Sequence, residues 1–257
     1  MRDSVLVSTD IATPEYWESS WATAAPVRDF SRRNYYDMRL AELFDRFVAP
    51  SLRVLEVGCG GSKWIKYFDR IRMCETWGID YSESGLSLTR LNNAGREAHL
   101  HLVQGDFFDE TLLPSDYFDL IYSLGFVEHF SDVNSVIRRM AGLIRRGGRI
   151  VTLIPNLTSI YGYIQARIER RVYEKHVIMT PLDIDQEHTA SGLVPEMPAR
   201  FAGCFAPGMV NYGSLERLLL PPVKVVQHAI CWGLRALHCD VESRVFSPHI
   251  VGVYRKP

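Results

Sequence analysis

The stretch LEVGCGGSKWIKYF, Leu55 to Phe68, sets three glycines and a cysteine between a hydrophobic run and an amphipathic one. A bare turn needs only one glycine, so the loop reads as backbone held close to a ligand. Of two phosphate-binding readings, the first fails on residue order and the second is weakened by it. A Walker-type cradle takes Lys and then Ser or Thr after its glycines, whereas Ser62 precedes Lys63 here. A dinucleotide fingerprint needs G-x-G-x-x-G, and Gly58, Gly60 and Gly61 lead into Ser62, Lys63 and Trp64 with no third glycine in place. What remains is a ligand without a pyrophosphate, with the Glu56 carboxylate fixed just ahead of the loop and suited to an ammonium group.

Outward from this loop, short β-branched runs alternate with helical patterns, the signature of a parallel sheet wrapped by helices. RVLEV (53–57), TWGID (76–80), LHLVQGD (100–106), FDLIYSL (118–124) and GRIVTLI (148–154) are the expected strands. The three intervening helices each open near a serine able to cap them, and the third is expected to run to a left-handed cap at Gly147 and Gly148. Right-handed crossovers put helices on both faces and leave a ligand crevice at the carboxyl ends of the strands. Upstream, residues 34–48 read as an amphipathic helix, and TPEYWESSWATAAP as an ordered flap or short helix. Downstream come a helical run from Asn156, a Thr180 cap with Pro181 at the first helical position, a strand plus loop after 194, a helical run around 215–238, and a last strand, HIVGVYRK. The expected organisation is one domain over 1–257. Its parts are a lid and helix in 1–48, a cofactor-binding core in 52–156, and a cap, substrate region and last strands in 157–257.

Composition limits the partners. A net charge of −1 on 257 residues gives no electrostatic reason to expect nucleic acid or an anionic membrane. The basic run RIERR (167–171) reads as a solvated helix face. The apolar part of MRDSVLVSTD is too short for a signal peptide, and no apolar stretch reaches the roughly 20 residues of a membrane span, so a cytosolic protein is expected. Cys59, Cys74, Cys204, Cys231 and Cys239 form no CxxC pair, so neither a disulfide framework nor a metal site is expected. Exposed parts of the C-terminal helical run are a candidate homodimer surface.

Acids recur at the strand ends. Asp80 in GIDYS is placed to accept two ribose hydroxyls, and Asp106 in GDFF to meet an adenine amino group with Phe107 over the ring. Singly, such acids are more often turn or helix caps. At successive strand ends they point together to one nucleoside.

VLEVGCGGSKW, WGIDYSESGL, LVQGDFFD, FDLIYSLGFVEHFSD and LIRRGGRIVTLIPNL, in this order and spacing, resemble the class I S-adenosylmethionine-dependent methyltransferases over about 52–156. The resemblance implies a Rossmann-like, doubly wound, seven-stranded α/β sheet, mostly parallel with an antiparallel last strand, under a helical and aromatic cap. It implies S-adenosylmethionine as cofactor, with Glu56, Gly58 and Gly60 near the methionine moiety, Asp80 on the ribose, and Asp106 and Phe107 at adenine. Ser123, Leu124 and Gly125 line the cofactor, and Cys59, Trp64, Tyr81 and Gly85 count as further contacts.

In such a fold the cofactor carries the electrophilic carbon, so the protein mainly aligns a nucleophile and excludes water. His129 in VEHF is the best-sited base, although in related enzymes that histidine commonly packs beside the fourth strand. His176 and His188, in the cap, suit structural roles equally well. Tyr16, Trp17, Trp21, Tyr35, Tyr36, Tyr161, Tyr163 and Tyr173 lie in segments that fold over the open cofactor face, where rings hold a sulfonium or simply pack. The substrate segment is more loosely similar to azetidine-2-carboxylate synthases of microbial secondary metabolism, in which the cofactor's own amino group attacks its γ-carbon and releases methylthioadenosine. Asn156, the tyrosines and Asn211 are offered for folding the methionine tail, and Tyr163, Tyr173 and Asn156 join His129 as catalytic candidates. Methyl transfer to a small-molecule acceptor is the leading expectation, cyclisation its rival, and a non-catalytic cofactor-binding module the third reading.

Overall fold

The computed structural model describes residues 10–25, 28–95, 100–239 and 242–257; the opening residues 1–9, read above against a signal peptide, lie outside them. The strands are β1 (Arg53–Val57), β2 (Glu75–Asp80), β3 (Leu100–Gln104), β4 (Phe118–Leu124), β5 (Ile144–Pro155), β6 (Val194–Ala202) and β7 (His249–Arg255). They form one seven-stranded sheet in the order β3-β2-β1-β4-β5-β7-β6. β1 to β5 run parallel, and β7 pairs antiparallel with both β5 and β6. The expected class and strand directions hold.

Alternation along the strands feeds two cores. Leu55, Val57, Ile121 and Ile150 face the layer of α5 (Val133–Leu143) and α8 (Pro181–Ala190). Val54, Leu120, Tyr122 and Val151 face Phe44 of α2 (Tyr35–Phe44) and Trp64, Tyr67 and Phe68 of α3 (Trp64–Arg70). The order 2-1-4 reverses the chain's direction of travel at β1 and β4, which opens a crevice beyond their carboxyl ends. The described elements that surround it are α1 (Pro14–Ala22), capped by Thr13, and α4 (Glu83–Asn92), capped by Ser82. α6 (Ile160–Ile168) and α7 (Arg170–Tyr173) follow β5, and α9 (Glu216–Ala236) lies between β6 and β7 in the chain.

Three local expectations are corrected. α5 ends at Leu143, and residues 144–148 belong to β5. Fully buried Ile144 pairs with Phe118, after which the register jumps to Leu120 opposite Arg149. Gly147, at φ +75°, lets the extra residues loop out while its N–H reaches the Lys256 carbonyl at 2.8 Å, so the glycine pair marks a bulge and not a helix cap. Second, α5 is capped by Asp132, whose carboxylate accepts from the Ser135 N–H, and not by a serine. Third, β3 stops at Gln104, leaving Asp106 in the following turn. Pro195 and Pro198 are tolerated in β6 because it is an edge strand, and its register with β7 shifts around them.

Candidate functional site

The glycine loop is shaped by its neighbours. Gly58 sits at φ +74°, and a Cβ there would lie 2.6 Å from the Phe126 ring. A Cβ on Gly60 would lie 2.6 Å from the Trp21 indole nitrogen and 3.1 Å from Asp80 Oδ2. Only glycine leaves this backbone open at those two points. Below the loop, Ser62 Oγ and Tyr122 Oη (2.7 Å) both donate to Glu56 Oε2. Burial pushes the Glu56 carboxyl up to about 7, opposed by those two bonds and assisted by the Asp80 charge. Asp80 accepts the Gly60 N–H at 2.8 Å on Oδ2 and the Ser82 N–H at 2.9 Å on Oδ1, and burial raises its carboxyl as well.

These groups open on a crevice of about 150 Å³. Glu56, Gly58, Gly60, Asp80, Asp106 and Phe107 all line it, with Tyr81, Leu124, Gly125 and His129. Its outer wall is α1, with Trp17 and Trp21 turned inward and Glu18 latched to the start of α4 through Ser82 Oγ (2.8 Å), Ser84 N–H (3.2 Å) and Ser84 Oγ (2.5 Å). Asp10 bridges to Phe130 and lines the crevice too; burial and the nearby Asp106 charge raise its carboxyl to about 6. A second cavity of about 380 Å³ lies at the tips of β4, β5 and β7, bounded by Tyr36, Trp64, Leu153 and His249. Leu124 and Gly125 belong to both.

Other expected residues go elsewhere. Trp64 faces the second cavity, not the crevice. Cys59 is fully buried against Ile65 and Leu86, and Gly85 serves close packing, since a Cβ there would lie 2.9 Å from Gly60 Cα. Ser123 is buried with no partner for its hydroxyl. Asn156 lies outside both linings; its amide nitrogen holds the Arg244 and Ser247 carbonyls, both at 2.9 Å, which is a structural clamp. Tyr163 is 59% exposed beneath the Arg167 guanidinium, and Tyr173 lines neither cavity. Tyr161 is buried and its hydroxyl accepts the Ala206 N–H at 2.8 Å, Tyr35 packs beside Cys204, and Asn211 closes a turn onto the Gly213 N–H. Tyr16 stands edge-on to Trp17, whose ring meets His129 at 4.9 Å.

His129 is held through Nδ1 by the Lys175 carbonyl at 2.7 Å, and burial with the neighbouring His176 drops it to about 4. Beside them Glu128, 1% exposed, has no hydrogen-bond partner on either carboxylate oxygen, and burial raises it to about 8. Sequence reading missed Glu128, Glu18 and Asp10. The EH pair was visible in VEHF, but the burial that makes Glu128 unusual was not.

The family described as a methyltransferase domain matches residues 55–152. The sheet that holds them has the Rossmann-like methyltransferase fold. Over 150 residues it is 27% identical to a ubiquinone biosynthesis O-methyltransferase of Aeromonas salmonicida, covering 55% of this chain and 63% of that protein. The match therefore spans about three-fifths of that relative's length. Geranyl diphosphate C-methyltransferase from Streptomyces coelicolor, solved with Mg²⁺, geranyl diphosphate and S-adenosylhomocysteine, superposes with a TM-score of 0.63 at 12% identity, covering 96% of this chain and 99% of that one. A phosphoethanolamine N-methyltransferase from Haemonchus contortus, solved with S-adenosylmethionine, gives 0.60 at 13% identity, covering 98% and 61%. At such identities these two speak to the fold of the methyltransferase domain alone. Among the described residues, no helix is long and apolar enough to cross a membrane.

Proposed function

We propose that this protein transfers a methyl group from S-adenosylmethionine to a small-molecule acceptor seated in the larger cavity. One observation carries the reading: the crevice ringed by the strand-tip acids and the 380 Å³ cavity meet at Leu124 and Gly125, the tip of β4. A donor and an acceptor held on either side of that point face each other.

The cofactor is S-adenosylmethionine, and the crevice suits it chemically. The glycine backbone at Gly58 and Gly60 leaves room that any Cβ would fill. Asp80 is fixed by one N–H on each oxygen, which leaves lone pairs for two hydroxyls. Both bonds recorded to Glu56 end on Oε2, and an ammonium beside this carboxyl favours its ionised form. Asp106 and Phe107 offer an acceptor and a ring face at the far end. At about 150 Å³ the crevice is below the ~300–1,000 Å³ of ordinary small-molecule sites, so α1 moves outward as the ligand enters and closes over it.

When bound, the cofactor supplies a methyl group on an electron-poor sulfonium. The chain's part is positioning and dryness. Trp17, Trp21 and Phe126 wall the crevice with rings that exclude water and attract positive charge. The acceptor cavity joins apolar walls at Leu40, Leu43 and Leu153 to the Lys63–Asp37 pair at 2.5 Å, which suits a compact organic molecule with one polar end. The O-methyltransferase relatives support a small organic acceptor.

Incubation with S-adenosylmethionine alone, then with a panel of small acceptors, tests the proposal by identifying the nucleoside product. S-adenosylhomocysteine that forms only with an acceptor, matched by a methylated acceptor, is expected. Methylthioadenosine and azetidine-2-carboxylate formed without an acceptor would replace methyl transfer by ring closure. Tight binding with no turnover across the panel would leave a binding module.

A further inference from the structure

We propose that Glu128, His129 and His176 form a binding site for a divalent transition-metal cation. One ligand atom from each lies within 4.8 Å of the other two, with His129 Nε2 3.9 Å from Glu128 Oε1 and the two imidazole centroids 4.5 Å apart. Three donors around one cation at about 2.0–2.2 Å stand roughly 3–3.5 Å from one another, so side-chain rotations of about 1 Å close the site.

Proximity alone is weak, and two further observations point to a ligand. Glu128 is 1% exposed, yet neither carboxylate oxygen has a hydrogen-bond partner. An anion left this way in an apolar surrounding is costly unless a cation joins it. The imidazoles are also oriented in the same manner. His129 Nδ1 lies 2.7 Å from the Lys175 carbonyl and His176 Nδ1 2.8 Å from the Val172 carbonyl. A carbonyl only accepts, so both rings carry their proton on Nδ1 and present an Nε2 lone pair, the arrangement that backbone carbonyls impose on metal-ligating histidines.

The donor set selects the metal class. Two imidazoles and one carboxylate suit Zn²⁺, Co²⁺, Ni²⁺ or Fe²⁺, whereas Mg²⁺ and Ca²⁺ prefer all-oxygen shells. Three protein ligands leave a coordination position over. His129 lines the crevice and Gly125 lies against Glu128 Oε1, a Cβ there meeting it at 3.5 Å, so the cation sits beside the junction of the two cavities. Its open position is available to water or to an oxygen of a bound molecule. Nothing in this inference depends on methyl transfer, because cation binding is read directly.

Chelator-treated full-length protein is titrated with Co²⁺ and separately with Zn²⁺. The expected result is one equivalent of Co²⁺ bound, with visible ligand-field absorption that Zn²⁺ displaces, and a melting temperature raised by stoichiometric Zn²⁺. Glu128→Gln, nearly isosteric, and His176→Gln, at a partly exposed position, should each lower affinity by about 100-fold or more while keeping the far-ultraviolet spectrum. The exposed His101 and His238 are controls, and their glutamine variants should bind normally. Absence of saturable uptake by the folded parent overturns the site. So does uptake unchanged in the Glu128→Gln/His176→Gln double variant, which would assign the ions to surface histidines and leave Glu128 a protonated neighbour of His129.

Discussion

Asp80 does two jobs with one carboxylate. It ties the glycine loop to the start of α4 by accepting the Gly60 and Ser82 N–H groups, and it faces the crevice with its remaining lone pairs. Hydrogen bonds that involve a charged group contribute about 1.5–3 kcal/mol. Asp80→Ala should therefore weaken S-adenosylmethionine binding by roughly 10- to 150-fold in calorimetry, whereas Asp80→Asn, which keeps one acceptor, should lose less. Equal affinities for the parent and the alanine variant would remove Asp80 from the ligand. Asp106 differs in kind: its Oδ1 accepts the Phe108 N–H at 2.9 Å as an ordinary turn acid does. The two acids look alike in the sequence, and only the fold separates a crosslink between loop and helix from a local turn.

At the scale of elements, α1 is the lid that the proposed function requires. It is short, contains no buried residue, and is latched through Glu18 to the amino end of α4. That end carries the partial positive charge of the helix and attracts a carboxylate. Glu18→Ala should leave the melting temperature within a few degrees of the parent and speed cofactor release, measured by stopped-flow tryptophan fluorescence from Trp17 and Trp21; an unchanged release rate would show that α1 gates nothing. The elements that were legible in the sequence are those whose local pattern and tertiary role agree. RVLEV is β1 as written, and Thr180 with Pro181 starts α8 with a full capping box to Asp183. Legibility failed where a partner outside the segment decides. LIRRGG reads as a helix end, but Ile144 is taken by Phe118 and the Gly147 N–H by Lys256. Likewise Asn156 and Tyr161 sit in segments expected near the site, yet their polar atoms are spent on distant backbone groups that no local pattern names, and Asn211 closes its own turn.

The whole molecule buries titratable groups of both kinds, and their opposed shifts set how its stability depends on pH. His129, His188 and His249 are lowered to about 4 by burial, below their unfolded 6.5. From pH 4 to 6.5 the unfolded chain thus holds protons that the folded one lacks, and these groups make stability rise with pH. Glu56, at about 7, Glu128, at about 8, and Asp10, at about 6, are shifted the other way. Over the range between each unfolded and folded value, the native state holds the extra proton and stability falls as pH rises. Three groups of each sign nearly cancel between pH 4.5 and 6. Above 6.5 the histidine contribution fades, while Cys204, whose thiol is lowered to about 6 chiefly by its hydrogen bond with Cys231, still makes stability rise with pH, against the fall set by Glu56 and Glu128. In urea unfolding from pH 6.5 to 8, the metal-free parent should therefore lose about 2 kcal/mol relative to Glu128→Gln, the share that ionising Glu128 contributes. Glu128→Gln cannot ionise and keeps every other titrating group, so the difference between the two curves isolates Glu128. A difference between parent and variant that stays constant over this window would mean that Glu128 is ionised in the folded protein, as it must be when a cation is bound, so the measurement repeated with one equivalent of Zn²⁺ should remove the Glu128 share of the parent's slope and leave the variant unchanged.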